Sequence, residues 1–254
     1  MNTSPARRLR IELAVLATLI LLCNLSLLAG RPAQSLMLLP ARILSGHLHV
    51  LVLHAFAHVS VYHLLLDAGA FLCLYAALDR LGTRRRLAVT TAAILGSAGA
   101  SLLQWSTLAQ TGLCGLSGAA HGLMAVCGLE LACREGTQRA ERVLGWTTLG
   151  IVVVKSVFEA VSGGVLFSSL HMGDVGLPLS VCHAGGVLGA LLAALPFGRA
   201  ERGIHNQLVP AHGGGHAPAV SPSMTASTAS SNTSRLSRKA SSGMDSGGQI
   251  LRHS

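Results

Sequence analysis

The chain has 254 residues, of which half are apolar and only 11% are charged, and its mean hydropathy is +0.55. Soluble globular domains carry about 25% charged residues, so this composition argues against a soluble protein and indicates an integral membrane protein. The net charge of +9 does not point to nucleic acid, because only nine aromatic residues are present and no basic patch is interleaved with them; the expected partner surface is the lipid bilayer.

The first apolar segment directly follows a basic N-terminus. Residues 1–10 contain three arginines, and residues 11–29 are apolar over a length sufficient to cross about 30 Å of hydrocarbon. A cleaved signal peptide is the alternative interpretation. Its apolar region usually spans about 7–15 residues, which is shorter than this run, so the sequence favours an uncleaved first span.

A histidine-containing connector occupies residues 31–61 and is only moderately apolar, which is typical of an interfacial or partly inserted loop. His54 and His58 have i, i+4 spacing and, together with His47 and His49, suggest a metal site. No acidic residue or cysteine nearby completes a ligand set. We therefore predict no metal and no other cofactor.

Five further apolar segments follow in the order 61–78, 87–108, 115–133, 143–161 and 180–197. With the first segment they predict an all-α membrane domain of six transmembrane helices over residues 11–198. Residues 199–254 are rich in Ser, Gly, Thr and Ala and poor in large apolar residues. This composition predicts a disordered tail.

The lysines and arginines alternate between the two sides of these predicted spans. Three lie in the N-terminus, four in the turn after the second span, three in the turn after the fourth and six in the tail, whereas the connector on the opposite side has two. Cytoplasmic loops carry the excess of positive charge in membrane proteins. Both termini are therefore predicted to be cytoplasmic.

In this topology the second, fourth and sixth spans all enter from the outer face, so their first turns lie at one depth. Those turns contain His63 and Asp67, then Ser117 and His121, then His183. Ionisable residues within membrane spans cost a few kcal/mol each on insertion scales. Three helices that place them at one level predict a functional cavity.

Ser117 is the candidate nucleophile, because it lies between glycines at the start of a very apolar segment. The alternative is that Gly118 and Gly122 form only a close-packing seam between helices. A serine hydroxyl needs a neighbouring base to attack a carbonyl group, and His183 is the candidate. His63, a neutral Asp67 and the backbone N–H of Ser117 are the candidate donors to an oxyanion.

Three further features have open interpretations. His121 lies one turn after Ser117, where it either packs under His183 and orients it or serves as a second base. Lys155 and Glu159 have i, i+4 spacing, which favours a structural ion pair over substrate recognition. Cys114 and Cys182 could form a disulfide in an oxidising compartment, although small-residue packing is the preferred interpretation.

These residues stand in motifs that resemble those of the rhomboid intramembrane serine proteases, and most closely the rhombosortase branch. The similar motifs are Gly-Leu-Ser-Gly-x-x-His-Gly at 115–122, Cys-His-x-x-Gly at 182–186, Ser-Gly-His at 45–47, His-Leu-Leu-Leu-Asp at 63–67 and Lys-x-x-x-Glu at 155–159. The resemblance covers about residues 40–197 and implies a six-helix rhomboid-like bundle.

The resemblance also implies a function. It implies a catalytic dyad of Ser117 and His183 without a carboxylate, with His63 and residue 67 lining the oxyanion site. It implies cleavage of membrane-anchored proteins near the outer, periplasmic face of a bacterial inner membrane. For rhombosortases, the implied substrates are exported proteins with a C-terminal tail made of a Gly-Gly motif, a hydrophobic helix and basic residues.

One residue departs from the pattern of the family. Asp67 stands where the family usually has asparagine, and an ionised carboxylate repels a developing oxyanion, whereas a neutral one donates to it. An inactive rhomboid-like protein that binds client helices is therefore the first alternative. A helix bundle that binds haem or metal through its histidines is the second.

Overall fold

The computed structural model describes residues 4–166, 172–176 and 179–208, and only the backbone of residues 196–208. These residues form an all-α structure, as predicted, in which two extended segments meet at a single bridge between Leu38 and Leu113. The helices are α1 (Pro5–Cys23), α2 (Leu25–Leu28), α3 (Pro40–Leu44), α4 (Val50–Leu53), α5 (Val61–Ala77), α6 (Thr83–Leu102), α7 (Trp105–Thr111), α8 (Ser117–Cys133), α9 (Arg139–Ser162) and α10 (Val181–Leu208).

Helices α6, α8 and α10 form the centre of the bundle, with α9 against α8 and α10, α5 against α8, and α1 against α5. The core between them contains Phe71, Tyr75 and Leu123, each fully buried. Because α5, α8 and α10 begin at the same end of the bundle, their N-terminal turns lie side by side, and these turns contain the candidate site residues.

Glycines allow the central helices to approach closely. A Cβ atom at Gly186 would collide with the backbone of Gly118 on α8, and one at Gly185 would collide with the backbone of Gly96 on α6. Gly122 also faces α10, where the carbonyl oxygen of Gly186 would lie 2.5 Å from an added Cβ. Gly118 and Gly122 therefore form a close-packing contact between helices, as in the alternative interpretation of this motif. This contact does not exclude a functional role for the neighbouring Ser117.

The helix boundaries differ from the sequence prediction most clearly in three places. The third apolar segment is broken after Leu102, where the chain bends by 104° into α7. The connector contains α3, α4 and two 3-10 turns, Gln34–Leu36 and His54–Phe56. Helix α10 continues to Leu208, into the segment predicted as a disordered tail, whereas residues 209–254 lie outside the described residues.

The number of membrane spans is not decided by helix length and composition. Among the described residues, α9 alone is long and apolar enough to cross a bilayer as one straight helix. Two bent pairs, the 50–56 and 61–77 helices and the α6–α7 pair, raise the count to three if each is one span. The six predicted spans therefore stay a prediction.

Helix α9 presents a wide apolar face away from the bundle. More than half of the surface is exposed on Val143, Leu144, Trp146, Ile151, Val154, Val157, Phe158 and Val161. A patch of this kind on a soluble protein would bind a partner or cause aggregation. The length and composition of α9 are also those of a helix that can cross a bilayer.

At the opposite end of the bundle from the candidate site, a buried ion pair joins α1 to the first turns of α6. Arg86 is 3% exposed and its Nη2 atom lies 2.8 Å from Glu12 Oε2. The hydroxyl groups of Tyr75 and Thr83 also donate to the Glu12 carboxylate. Arg86 Nη1 donates to backbone carbonyl oxygens, including that of Leu78, and Glu12 supplies the negative charge that pairs with the buried guanidinium group.

We expect Glu12→Gln to destabilise the bundle by about 3 kcal/mol, because removing one partner leaves the other charge buried and unpaired. Glu141→Gln is the matched control, since its pair with Arg134 is 34–48% exposed and such pairs contribute less than about 1 kcal/mol. Chemical denaturation in detergent micelles measures both. Equal stability of the two variants would contradict the role assigned to Glu12.

Candidate active site

The segment before Ser117 is held in place by backbone hydrogen bonds. Leu113 exchanges two such bonds with Leu38, and Gly115 N–H donates to the carbonyl oxygen of His54 at 3.0 Å. Gly115 has φ +105°, and a Cβ atom there would lie 2.8 Å from both Asp67 Oδ2 and the His63 ring. Only glycine fits this conformation and this close approach, which explains the residue two positions before the serine.

Ser117 and His183 meet across the interface between α8 and α10. Ser117 Oγ lies 3.2 Å from His183 Nε2, within the range in which a hydroxyl group donates to an imidazole nitrogen. The glycine contacts between these helices, Gly118 to Cys182 and Gly186 to Gly118, set this distance. The two residues that the sequence selected as nucleophile and base are therefore in direct contact.

The second nitrogen of His183 faces a carboxylate. His183 Nδ1 lies 2.7 Å from Glu159 Oε2 on α9, and Glu159 is completely buried. Since a carboxylate accepts the hydrogen bond, the proton of the neutral ring is on Nδ1 and the lone pair on Nε2 faces Ser117. A carboxylate thus stands behind the base, where the resemblance implied none.

His121 stacks on His183, with ring centroids 4.0 Å apart and ring planes 15° from parallel. Its Nδ1 lies 2.8 Å from the carbonyl oxygen of Ser117, and its Nε2 lies 3.0 Å from Lys155 Nζ. The carbonyl group requires a proton on Nδ1, and the ammonium group requires a lone pair on Nε2. Both nitrogens are therefore committed, which favours the packing interpretation of His121 over a second base.

His63 and Asp67 approach the serine from α5. Asp67 Oδ2 accepts the backbone N–H of Ser117 at 3.0 Å and lies 3.1 Å from His63 Nε2. The N-terminus of α8 has no side-chain cap of its own, and a carboxylate satisfies such an N–H group well. The Ser117 N–H, a candidate oxyanion donor, is thus occupied by Asp67.

The connector histidines have structural contacts that the sequence did not reveal. His54 is buried, and its Nδ1 lies 2.9 Å from the Val50 carbonyl oxygen. Asn24 Oδ1 accepts the His58 backbone N–H at 3.0 Å, and His58 Nε2 lies 3.8 Å from Asp67 Oδ2. His58 therefore lies behind Asp67 as a second layer of the site.

His47 and His49 are exposed, and their rings contact each other edge to face at 5.8 Å. The four connector histidines do not form one metal cluster within the described residues, where the one group with metal-ligand spacing is His121, Glu159 and His183.

That group already has a cation. Lys155 Nζ lies 2.6 Å from Glu159 Oε1 and also contacts His121, so its ammonium group supplies the positive charge that a metal ion would bring. The contacts favour an ion pair over a metal at this position.

The candidate site opens into a cavity of about 720 Å³. Its wall includes the side chains of Ser117, His183, His63, Asp67 and Lys155. The volume is in the range of pockets that hold a peptide-sized segment or a small molecule. Cys114 and Cys182 also line it, and both are free thiols, in agreement with the packing interpretation.

A serine hydroxyl group, an imidazole and a carboxylate therefore follow one another from the cavity wall inward, on three different helices. The same order of groups occurs in Ser-His-carboxylate sites that carry out acyl transfer. The sequence missed the contact between Glu159 and His183, although an acidic residue within an apolar helix was a signal for a functional role. Neither protein-family models nor curated proteins match this chain.

Proposed function

We propose that this chain is an intramembrane serine endopeptidase of the rhomboid type, similar to the rhombosortases. It cleaves membrane-anchored proteins, and its substrates are exported proteins with C-terminal Gly-Gly-type sorting tails. The observation that carries the proposal is the 3.2 Å contact between Ser117 Oγ and His183 Nε2 at the wall of a cavity. The substrate class comes from the motif resemblance alone.

The proposed reaction has two steps. Ser117 Oγ attacks the scissile carbonyl carbon while its proton passes to His183 Nε2, and collapse of the tetrahedral intermediate breaks the C–N bond as His183 returns the proton to the leaving amine. A water molecule, deprotonated by His183, then attacks the acyl ester. Collapse of the second tetrahedral intermediate breaks the ester C–O bond as His183 returns the proton to Ser117 Oγ, which releases the new carboxyl terminus and restores Ser117.

The proposed location is the inner membrane of a bacterium, with six spans, both termini in the cytoplasm and the cavity opening toward the periplasm. The exposed apolar face of α9 supports insertion in a bilayer. The charged pairs Glu12–Arg86 and Arg85–Glu130 lie at the end opposite to Ser117. That separation agrees with a basic cytoplasmic side and an outward-facing site.

The proposal is tested with a reporter substrate in liposomes. The reporter is a folded domain followed by a Gly-Gly motif, a hydrophobic helix and a basic end, and it is reconstituted with either the wild-type protein or Ser117→Ala. We expect wild type to release the domain and to react with a fluorophosphonate at Ser117. The proposal is contradicted if the wild-type protein and Ser117→Ala release the domain at the same rate. It is also contradicted if the wild-type protein neither releases the domain nor reacts with the fluorophosphonate.

Asp67→Asn is expected to retain or increase the cleavage rate, by up to about tenfold. One carboxylate oxygen of Asp67, Oδ2, already faces both Ser117 N–H and His63 Nε2, so only Oδ1 remains to carry a proton toward an oxyanion. An asparagine keeps the accepting oxygen and places an N–H donor at the other position. Steady-state kinetics of reporter cleavage measures the effect. Asp67→Ala removes both the accepting oxygen and the potential donor, and this control is expected to lose activity.

A second candidate function rests on the same residue. Because Asp67 accepts the Ser117 N–H, an ionised carboxylate occupies the space beside the nucleophile where an oxyanion forms. This contact favours an inactive rhomboid-like protein that binds client helices in the cavity. Retention of the reporter by wild type without cleavage, with cleavage restored in Asp67→Asn, would support this second function.

A further inference from the structure

We infer that Glu159 is a positioning residue for His183, so that the reacting unit contains Ser117, His183 and Glu159 and not a dyad alone. This inference rests on the proposed serine chemistry. The carboxylate would hold the His183 ring with its Nε2 lone pair toward Ser117 and would stabilise the imidazolium ion that forms when Ser117 loses its proton.

The contacts of Glu159 fit this role better than a helix-surface ion pair. An i, i+4 pair on a helix surface keeps its carboxylate in solvent, whereas Glu159 is 0% exposed. Its two oxygens have different partners: Oε1 faces Lys155 and the Leu166 N–H at 2.6 and 2.8 Å, and Oε2 faces His183 at 2.7 Å. One oxygen is thus fixed by the protein and the other is directed at the base.

The position of Glu159 in its helix is otherwise unfavourable. Helix α9 ends at Ser162, and Gly163 closes it by donating to the Glu159 carbonyl oxygen. A negative charge in the last turn of a helix opposes the helix dipole, and burial adds a further cost. The ion pair with Lys155 offsets part of this energetic cost. The contact with His183 accounts for the presence of a carboxylate at this position.

The charge of Glu159 is also compatible with the proposed reaction. Lys155 and Glu159 form an ion pair with no net charge. In the proposed transition state, the imidazolium ion of His183 then lies between this pair and the negative oxyanion, which it stabilises.

The experiment compares Glu159→Gln with wild type on the reporter substrate. We expect kcat to fall by about 10²-fold or more, with KM changed by less than about threefold, since Glu159 does not line the substrate cavity. Fluorophosphonate labelling of Ser117 should slow by a similar factor. The downfield proton resonance that we expect for His183 Nδ1–H in the wild-type protein should be absent from the variant.

Two controls distinguish a positioning role of Glu159 from a purely structural role. The double variant Lys155→Met with Glu159→Gln removes both buried charges, and kcat should stay low if the carboxylate itself is needed. Glu130→Gln removes a carboxylate that pairs with Arg85 far from the site and should leave kcat unchanged. If Glu159→Gln does not fold, Glu159→Asp keeps the charge on a shorter side chain and should lower kcat by about tenfold.

The outcomes distinguish this inference from the proposed function. Wild-type kcat in Glu159→Gln or in Glu159→Asp, or full recovery of kcat in the double variant, overturns the role of Glu159 and leaves the serine chemistry intact. A wild-type protein that neither cleaves the reporter nor reacts with the fluorophosphonate overturns both.

Discussion

Ser117→Ala and His183→Ala are each expected to lower the cleavage rate by about 10⁴-fold or more, and the double variant is expected to lose no more than Ser117→Ala alone. The two residues contact each other at 3.2 Å, and in the proposed mechanism they act on one proton. Without the hydroxyl group the base has nothing to activate, and without the base the hydroxyl group is a weak nucleophile. Effects of residues that act as one unit are therefore strongly non-additive.

The measurement is a double-mutant cycle on the reporter substrate in liposomes, with labelling of Ser117 by a fluorophosphonate as a second readout. Ser101→Ala is the matched control, because Ser101 is a buried serine whose hydroxyl group donates to the Ser97 carbonyl oxygen within α6. It should keep wild-type activity. Additive losses, or a His183→Ala variant that cleaves and labels at the wild-type rate, would disprove the assignment.

Gly186→Ala is expected to destabilise the protein by about 1–3 kcal/mol and to lower kcat by about 10²-fold. The added methyl group would overlap the carbonyl group of Gly118, which is backbone and cannot rotate away. Helix α10 must then move away from α8. His183 on α10 and Ser117 on α8 move apart with the helices, and a displacement of about 1 Å is enough to weaken proton transfer.

Gly150→Ala is the matched control for this substitution. Gly150 also lies within a helix, but an added Cβ atom there meets nothing within 4 Å, so alanine should leave both activity and stability unchanged or slightly improve stability through its helix propensity. Denaturation in detergent and kinetics of the reporter measure both quantities. If Gly186→Ala behaves as Gly150→Ala does, the α8–α10 contact does not set the site geometry.

The candidate nucleophile and base could be found in the sequence because their chemistry leaves a local pattern. A serine between glycines at 115–118 and a histidine before glycines at 183–186 are conspicuous in apolar segments, where polar side chains are costly. The helical character follows from the long apolar runs. The apolar runs do not set the helix end points: the chain bends by 104° after Leu102, and α7, which follows the bend, packs against α3 of the connector.

The roles of Glu159 and Asp67 could not be read from spacing. Lys155 and Glu159 satisfy the i, i+4 rule, so the sequence supports a complete account of them as a pair on one helix. Only the packing of α9 against α10 brings the second oxygen of Glu159 to His183. Likewise, only the approach of α5 to α8 makes Asp67 the acceptor of the Ser117 N–H group.

By itself the sequence determined the helical, apolar character of the chain and the residue types available for chemistry, because hydropathy and local motifs are properties of short segments. Tertiary structure decided which atoms of those residues meet. That choice depends on how closely α6, α8 and α10 approach at their glycines, and on which buried polar group finds which partner. Most buried donors and acceptors are satisfied by a neighbour in space, and for Glu159 and Asp67 that neighbour lies on a different helix.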